Sequence, residues 1–214
     1  MQKFTRHSGV AAPLIHSNID TDAIIPSREI KRVSRRGLDQ GLFADWRYHY
    51  EGKAKVGINA DFVLNRPEYQ QASILLSGKN FGCGSSREYA VWALQEYGIR
   101  VIIAVSFGTI FYNNCMRNGV LPICLHADQI ASLAEYVQAD PGRRLEIDLA
   151  EQTVSCADGS CYRFEIEKQN RNMLLNGLDA IDISKTYETD IMQFIQRDKV
   201  KRPWIYQAGQ RSQV

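Results

Sequence analysis

One stretch constrains this chain more than any other. A short apolar run, Ala72-Ser73-Ile74-Leu75-Leu76-Ser77, feeds the glycine-rich segment Gly78-Lys79-Asn80-Phe81-Gly82-Cys83-Gly84 and then Ser85-Ser86-Arg87-Glu88. The run predicts a buried strand. Beyond it Tyr89, Ala90, Ala93, Leu94 and Tyr97 recur at helical spacing until Gly98, a C-terminal stop. A strand that enters a helix through glycines gathers unpaired N–H groups and the positive end of a helix dipole, which suits an anion. Gly82 and Gly84 permit positive φ and close backbone approach. Ser85 or Ser86 is expected to cap the helix, with Glu88 three residues after Ser85 as in a capping box. That pattern is also ordinary punctuation at a helix start. Arg87 tips the reading toward a site, because its planar fork suits a carboxylate or phosphate.

The flanking sequence continues the alternation. Arg100 to Val105 and Val120 to Leu125 read as further buried strands, the second with Pro122 as a sign of an edge or bulge. Helices are predicted from about Gly108 to Arg117 and from Gln129 to Val137. This order argues for parallel pairing through crossovers. After Pro141-Gly142 the pattern becomes alternating, over 145–149, 153–156 and 162–166, with Asp158-Gly159 as a hairpin turn. Helix returns at Lys168 and breaks at Asn176-Gly177. Leu14-Ile15 and Ile24-Ile25 read as short strands, and the basic run Arg197 to Arg202 reads as a tail. The expectation is a mixed α/β fold: parallel core strands, antiparallel edge strands and flanking helices in a single domain over 1–214.

Composition narrows the functions. With 214 residues, 44% hydrophobic and 23% charged, the chain can build its own core. A net charge of +2 gives no bulk case for nucleic-acid binding, and no apolar run is long enough to span a membrane. The N-terminus lacks a signal-peptide core, so a cytoplasmic location is expected. The five cysteines, at 83, 115, 124, 156 and 161, form no paired ligand motif, and the chain is expected to bind no metal itself. The loop lacks the third glycine of a dinucleotide fingerprint and the Gly-Lys-Ser/Thr of a P-loop. No histidine spacing points at Cys83 as a nucleophile. What remains is the handling of a small carboxylic acid.

Two other segments carry charge in a pattern. Asn18-Ile19-Asp20-Thr21-Asp22-Ala23-Ile24-Ile25-Pro26 is either an acidic turn capped by its own side chains or a source of an orienting carboxylate. Arg28, Lys31, Arg32, Arg35 and Arg36 would form one basic stripe on a helix, either a solvated face or a surface for an acidic substrate.

Taken together, Gly78–Glu88 and Asp20–Pro26 resemble the small-subunit family of 3-isopropylmalate dehydratase, counterpart of the swivelling domain of aconitase. The likeness extends through Leu42 to Arg47, Asp61 to Asn65, Ser106-Phe107, Ile110 to Tyr112 and Asn176 to Asp179. The resemblance implies a β/β/α swivel domain that closes as a lid over a large subunit carrying a [4Fe–4S] cluster. The implied reaction isomerises 2-isopropylmalate to 3-isopropylmalate through 2-isopropylmaleate, in leucine biosynthesis. It further implies Ser85 as the base, Asp22 as its support in catalysis, and Ser86 and Arg87 as substrate-binding residues. Arg28, Glu29 and Ile30 fall in the loop that reads the substrate's side group, where the bacterial family usually shows Lys-Gln-Phe-Leu. The stretch from about 183 to 214 is an atypical extension. Two alternatives stay open: a related hydratase of the citramalate or methylmalate type, and a non-catalytic carboxylate-binding module. Neither nucleic acid nor membrane is expected as a partner.

Overall fold

The structure, a computed structural model, describes residues 1–30 and 34–206, apart from the side chain of Ala180. It divides into two compact units, Met1–Gly177 and Leu178–Val214. The first begins with strand β1 (Arg6–Leu14), a single helical turn α1 (Thr21–Ile24) and a second turn α2 (Ala44–Arg47). A small hairpin follows, β2 (Tyr48–Glu51) with β3 (Ala54–Ile58). Then come β4 (Ala72–Ser77), α3 (Glu88–Tyr97), β5 (Val101–Ala104), α4 (Thr109–Asn118), β6 (Leu121–Cys124) and α5 (Ala127–Ala139). Strands β7 (Arg144–Asp148), β8 (Thr153–Ser155) and β9 (Cys161–Arg163) precede α6 (Lys168–Asn176), which closes the unit.

Seven strands form one sheet in the order β6-β5-β4-β1-β7-β8-β9. From β6 to β1 the pairing is parallel, and from β1 to β9 it is antiparallel. Ile74, Leu75 and Leu76 are all 0% exposed, so β4 is covered on both faces, as a parallel core strand should be. Leu75 and Ile102 join Ala90, Val91, Ala93 and Leu94 of α3 in one apolar cluster. Gly98, at φ 111, and Gly119, at φ 76, end α3 and α4 in the left-handed conformation that glycine tolerates best. Pro122 sits on the edge strand β6, where its missing N–H costs no interior ladder bond.

Several expectations are corrected. Ile24-Ile25 is no strand: Ile24 ends α1, because Asp20 accepts a hydrogen bond from the Ala23 N–H at 2.7 Å and turns the chain there. Leu14 is the last residue of a nine-residue strand that lies inside the sheet, next to β4 and β7. Its Gly9 and Pro13 hid it. A Cβ at Gly9 would stand 2.0 Å from the Ser73 hydroxyl oxygen, and Pro13 faces Leu76 in the parallel ladder. The hairpin of β2 and β3 carried no turn signal that sequence reading used. The basic segment forms no single helical stripe among the described residues: Ser27–Glu29 is a 3-10 turn, and Lys31 and Arg32 lie outside the described residues.

The second unit, described to residue 206, is helical: α7 (Ala180–Thr186), α8 (Glu188–Lys201) and α9 (Pro203–Tyr206). The run read as a tail is thus mostly the last turn of α8. Asp198 fixes it by accepting from Arg202 at 2.6 Å and from the Tyr206 hydroxyl at 2.9 Å. No described helix is long and apolar enough to cross a membrane.

Phe81 ties the sheet to the loop beyond it, with its ring edge-on to Phe107 at 6.2 Å and to Phe111 at 5.4 Å, and 0% exposed. Phe81→Ala is expected to cost about 3–5 kcal/mol, read from urea denaturation; a loss under about 1 kcal/mol would show that the ring is not a core element.

Candidate active site

The glycine-rich loop is laced between two neighbours by backbone hydrogen bonds. On one side Asn18 N donates to Lys79 O at 2.8 Å, Gly82 N to Ile19 O at 2.7 Å, and Thr21 N to Cys83 O at 3.0 Å. On the other, Phe81 N donates to Ser106 O and Gly108 N to Phe81 O, both at 2.9 Å, while Asn80 N reaches the Ser106 hydroxyl at 2.9 Å. The fit leaves no room for side chains. A Cβ on Gly108 would lie 2.6 Å from the Gly82 carbonyl oxygen. One on Gly82, at φ +71, would lie 2.1 Å from the Phe111 ring. Here glycine is required by both backbone angle and space.

This lacing brings the two sequence motifs together. The Thr21 hydroxyl, almost fully buried, donates to the Ser85 carbonyl at 3.0 Å. Arg87 donates from Nη1 to Asp22 Oδ1 in an ion pair, and the Ser27 hydroxyl donates to the same oxygen at 3.4 Å. The Arg87 side chain is 23% exposed and that of Asp22 is 55% exposed, so the pair lies open to solvent. Ser85 and Ser86 are exposed, and among the described residues their hydroxyls have no hydrogen-bond partner. The capping expectation fails. Helix α3 starts at Glu88 with Arg87 as the preceding residue and no side-chain cap. The chain is held in loop geometry through Gly84, at φ +85, and Glu88 accepts from Asn118 Nδ2 at 2.8 Å instead of returning to the loop. The serines therefore stand ahead of the helix with their hydroxyls unspent.

The segment Arg28 to Ile30 is held by side chains from neighbouring elements. The two terminal nitrogens of Arg28 donate to the two oxygens of Asp45, the longer contact at 3.4 Å, and its guanidinium lies 4.7 Å from the Tyr50 ring centre. Hydrogen bonding to Asp45, then to Tyr50, raises the Arg28 pKa further above its usual value. Glu29 accepts from the Tyr50 hydroxyl at 3.3 Å and from Lys55 Nζ at 3.2 Å. Ile30 packs, half-buried, against the main apolar cluster. Asp22, Ala23, Pro26, Arg28, Asp45 and Trp46 line an open depression of about 460 Å³ that begins at the Asp22–Arg87 pair. A separate cleft of about 400 Å³, bordered by His16, Asp61, Arg66 and Tyr69, includes no side chain of residues 20–30 or 78–88. Sequence reading gave no role to Asp45, Tyr50, Lys55 or Ser106; their partners lie far along the chain, and no local spacing announces them.

No group of three or more His, Cys, Asp or Glu among the described residues is arranged to hold a metal ion. Cys115 and Cys156 are buried, and burial raises the pKa of both thiols.

A parallel-core sheet with an exposed Ser-Ser-Arg loop locked to an acidic turn defines an aconitase-type domain, and the family model described as aconitase C-terminal domain matches residues 1–128. A second, LeuD_N, matches residues 131–167. The 3-isopropylmalate dehydratase small subunit of Cupriavidus necator is 52% identical over 98% of this chain and 100% of its own length. That of Neisseria meningitidis serogroup A is 46% identical over 96% and 99%. The crystal structure of 3-isopropylmalate dehydratase (LeuD) from Methanocaldococcus jannaschii superposes with a TM-score of 0.62 at 28% identity, covering 91% of this chain and 99% of that one. The chain belongs to the family of 3-isopropylmalate dehydratase small subunits.

Gly82→Ala is expected to lose at least about 2 kcal/mol, from the left-handed backbone and the overlap with Phe111 together. Urea denaturation reads it; a variant as stable as the parent would mean that the loop can shift away from α4.

Proposed function

We propose that this chain is the lid subunit of a two-chain hydro-lyase that interconverts 2-isopropylmalate and 3-isopropylmalate through 2-isopropylmaleate, in the cytoplasm, with a large subunit as its partner. The single observation that carries the reading is the Arg87–Asp22 pair directly following the exposed Ser85 and Ser86, whose hydroxyls have no hydrogen-bond partner among the described residues. A proton must leave a carbon next to a carboxylate, so negative charge grows on a group that is already anionic. Donors fixed in advance toward that charge lower the barrier most.

Each residue has a distinct part in this reading. Asp22 engages one terminal nitrogen of Arg87. That fixes the plane of the guanidinium and leaves its other donors for a substrate carboxylate. Ser85, as its alkoxide held by nearby N–H groups and positive charge, takes the proton at its Oγ and becomes a neutral hydroxyl. The Ser86 hydroxyl and N–H stabilise the anion that forms on the substrate. The bond from Thr21 to the Ser85 carbonyl sets the position of the base. Among the described residues no group of three or more His, Cys, Asp or Glu is arranged to hold a metal ion; in this reading the [4Fe–4S] group belongs to the large subunit. When bound there, it supplies a Lewis acid for the departing hydroxyl.

The isolated chain is expected to be inactive. Mixed anaerobically with its large subunit, it should generate the ultraviolet absorbance of the unsaturated diacid; turnover by this chain alone would overturn the reading. In the reconstituted enzyme Arg87→Lys should lower kcat by about a hundredfold or more with the melting temperature unchanged, because an ammonium cannot hold Asp22 and a carboxylate in one plane. Parental rates in that variant would remove Arg87 from the mechanism.

A further inference from the structure

The depression beside Asp22 has an unusual far wall. Ala23, Pro26 and Trp46 give it apolar surface, yet its rim carries the full charge of Arg28. That charge is cancelled by a residue from another element. Asp45 takes both terminal nitrogens of Arg28, and the Tyr50 ring backs the guanidinium. Glu29, the other carboxylate near Arg28 (3.7 Å from its Nε), is itself held by Lys55 at 3.2 Å. The four charges Arg28, Asp45, Glu29 and Lys55 sum to zero, and Asp45 is the one whose ion-pair contact is with Arg28 alone. Its place is set by a buried anchor. Phe43, immediately before α2, is 0% exposed, adopts φ 47 and stacks on Trp46 at 5.6 Å with the rings 5° apart.

We infer that Asp45 determines substrate selectivity by keeping Arg28 neutralised, so that the depression takes an uncharged side group and rejects one bearing a further carboxylate. The inference rests on the function proposed above and concerns a residue outside the Ser-Ser-Arg rim. Asp45 acts through Arg28 and is a positioning residue. Without it the wall gains one positive charge, and the freed fork can grip a third carboxylate. A site that changes from neutral to charged changes its preference between such substrates far more than a change of shape does.

The test uses the reconstituted two-chain enzyme, with 2-isopropylmalate and a 2-hydroxy tricarboxylic acid in which a carboxyethyl group replaces isopropyl. Asp45→Asn and Asp45→Ala should each raise kcat/KM for the tricarboxylic acid relative to 2-isopropylmalate by tenfold or more. Asp45→Glu should restore the parental ratio, and the double variant with Arg28→Ala should abolish the gain. A ratio unchanged in both single variants, with the melting temperature retained, overturns the inference. So does a gain that survives in the double variant, and so does an equal loss on both substrates, which a merely structural role would produce. A parental enzyme without activity on 2-isopropylmalate would instead overturn the proposed function, a separate and recognisable failure.

Discussion

The site depends on two backbone hydrogen bonds that run in opposite senses, Gly82 N to Ile19 O and Thr21 N to Cys83 O. They stitch the loop after β4 to the turn after β1 in short parallel-strand fashion, with a bridge between Asp20 and Cys83. Everything polar on the rim follows from that seam. It places the Thr21 hydroxyl under the Ser85 carbonyl and the Asp22 carboxylate against Arg87. Because β1 and β4 are neighbours in the sheet, the two loops leave the same end of the same layer, as parallel pairing requires.

The ion pairs of the rim are better understood as orienting devices than as stabilisers. The side chains of Arg28 and Asp45 are 45% and 49% exposed. Pairs so open to water contribute at most about 1 kcal/mol each. What they do is restrict a long, flexible side chain to one plane. Stability comes from elsewhere, from the aliphatic layers around β4 and β5 and from the aromatic cluster of Phe81, Phe107 and Phe111.

Local signals in the chain disclosed the parallel core, the antiparallel edge and the glycine-rich loop, because strand and helix periods and glycine stops are written within ten or so residues. Ala72–Ser77 and the segment from Glu88 to Gly98 are of this kind. β1 was hidden because Gly9 and Pro13 are poor strand formers by propensity. Their reason for being there is the Ser73 side chain and the neighbouring ladder, which no local window contains. The start of α3 was misplaced for a related cause: Ser85 and Ser86 resemble caps, but the backbone ahead of them is already committed to Asp20 and Thr21. Asp22 and Arg87 could be picked out by residue type alone. Their pairing, and the capture of Arg28 by Asp45, join positions far apart in the chain and needed three dimensions.

Gly108 lies so near the Gly82 carbonyl that the serine-bearing loop is gripped from both sides before any partner arrives. A surface prepared in this way does not have to surrender conformational entropy when another protein covers it. Any contact made through this rim would then require little backbone movement on this side of it.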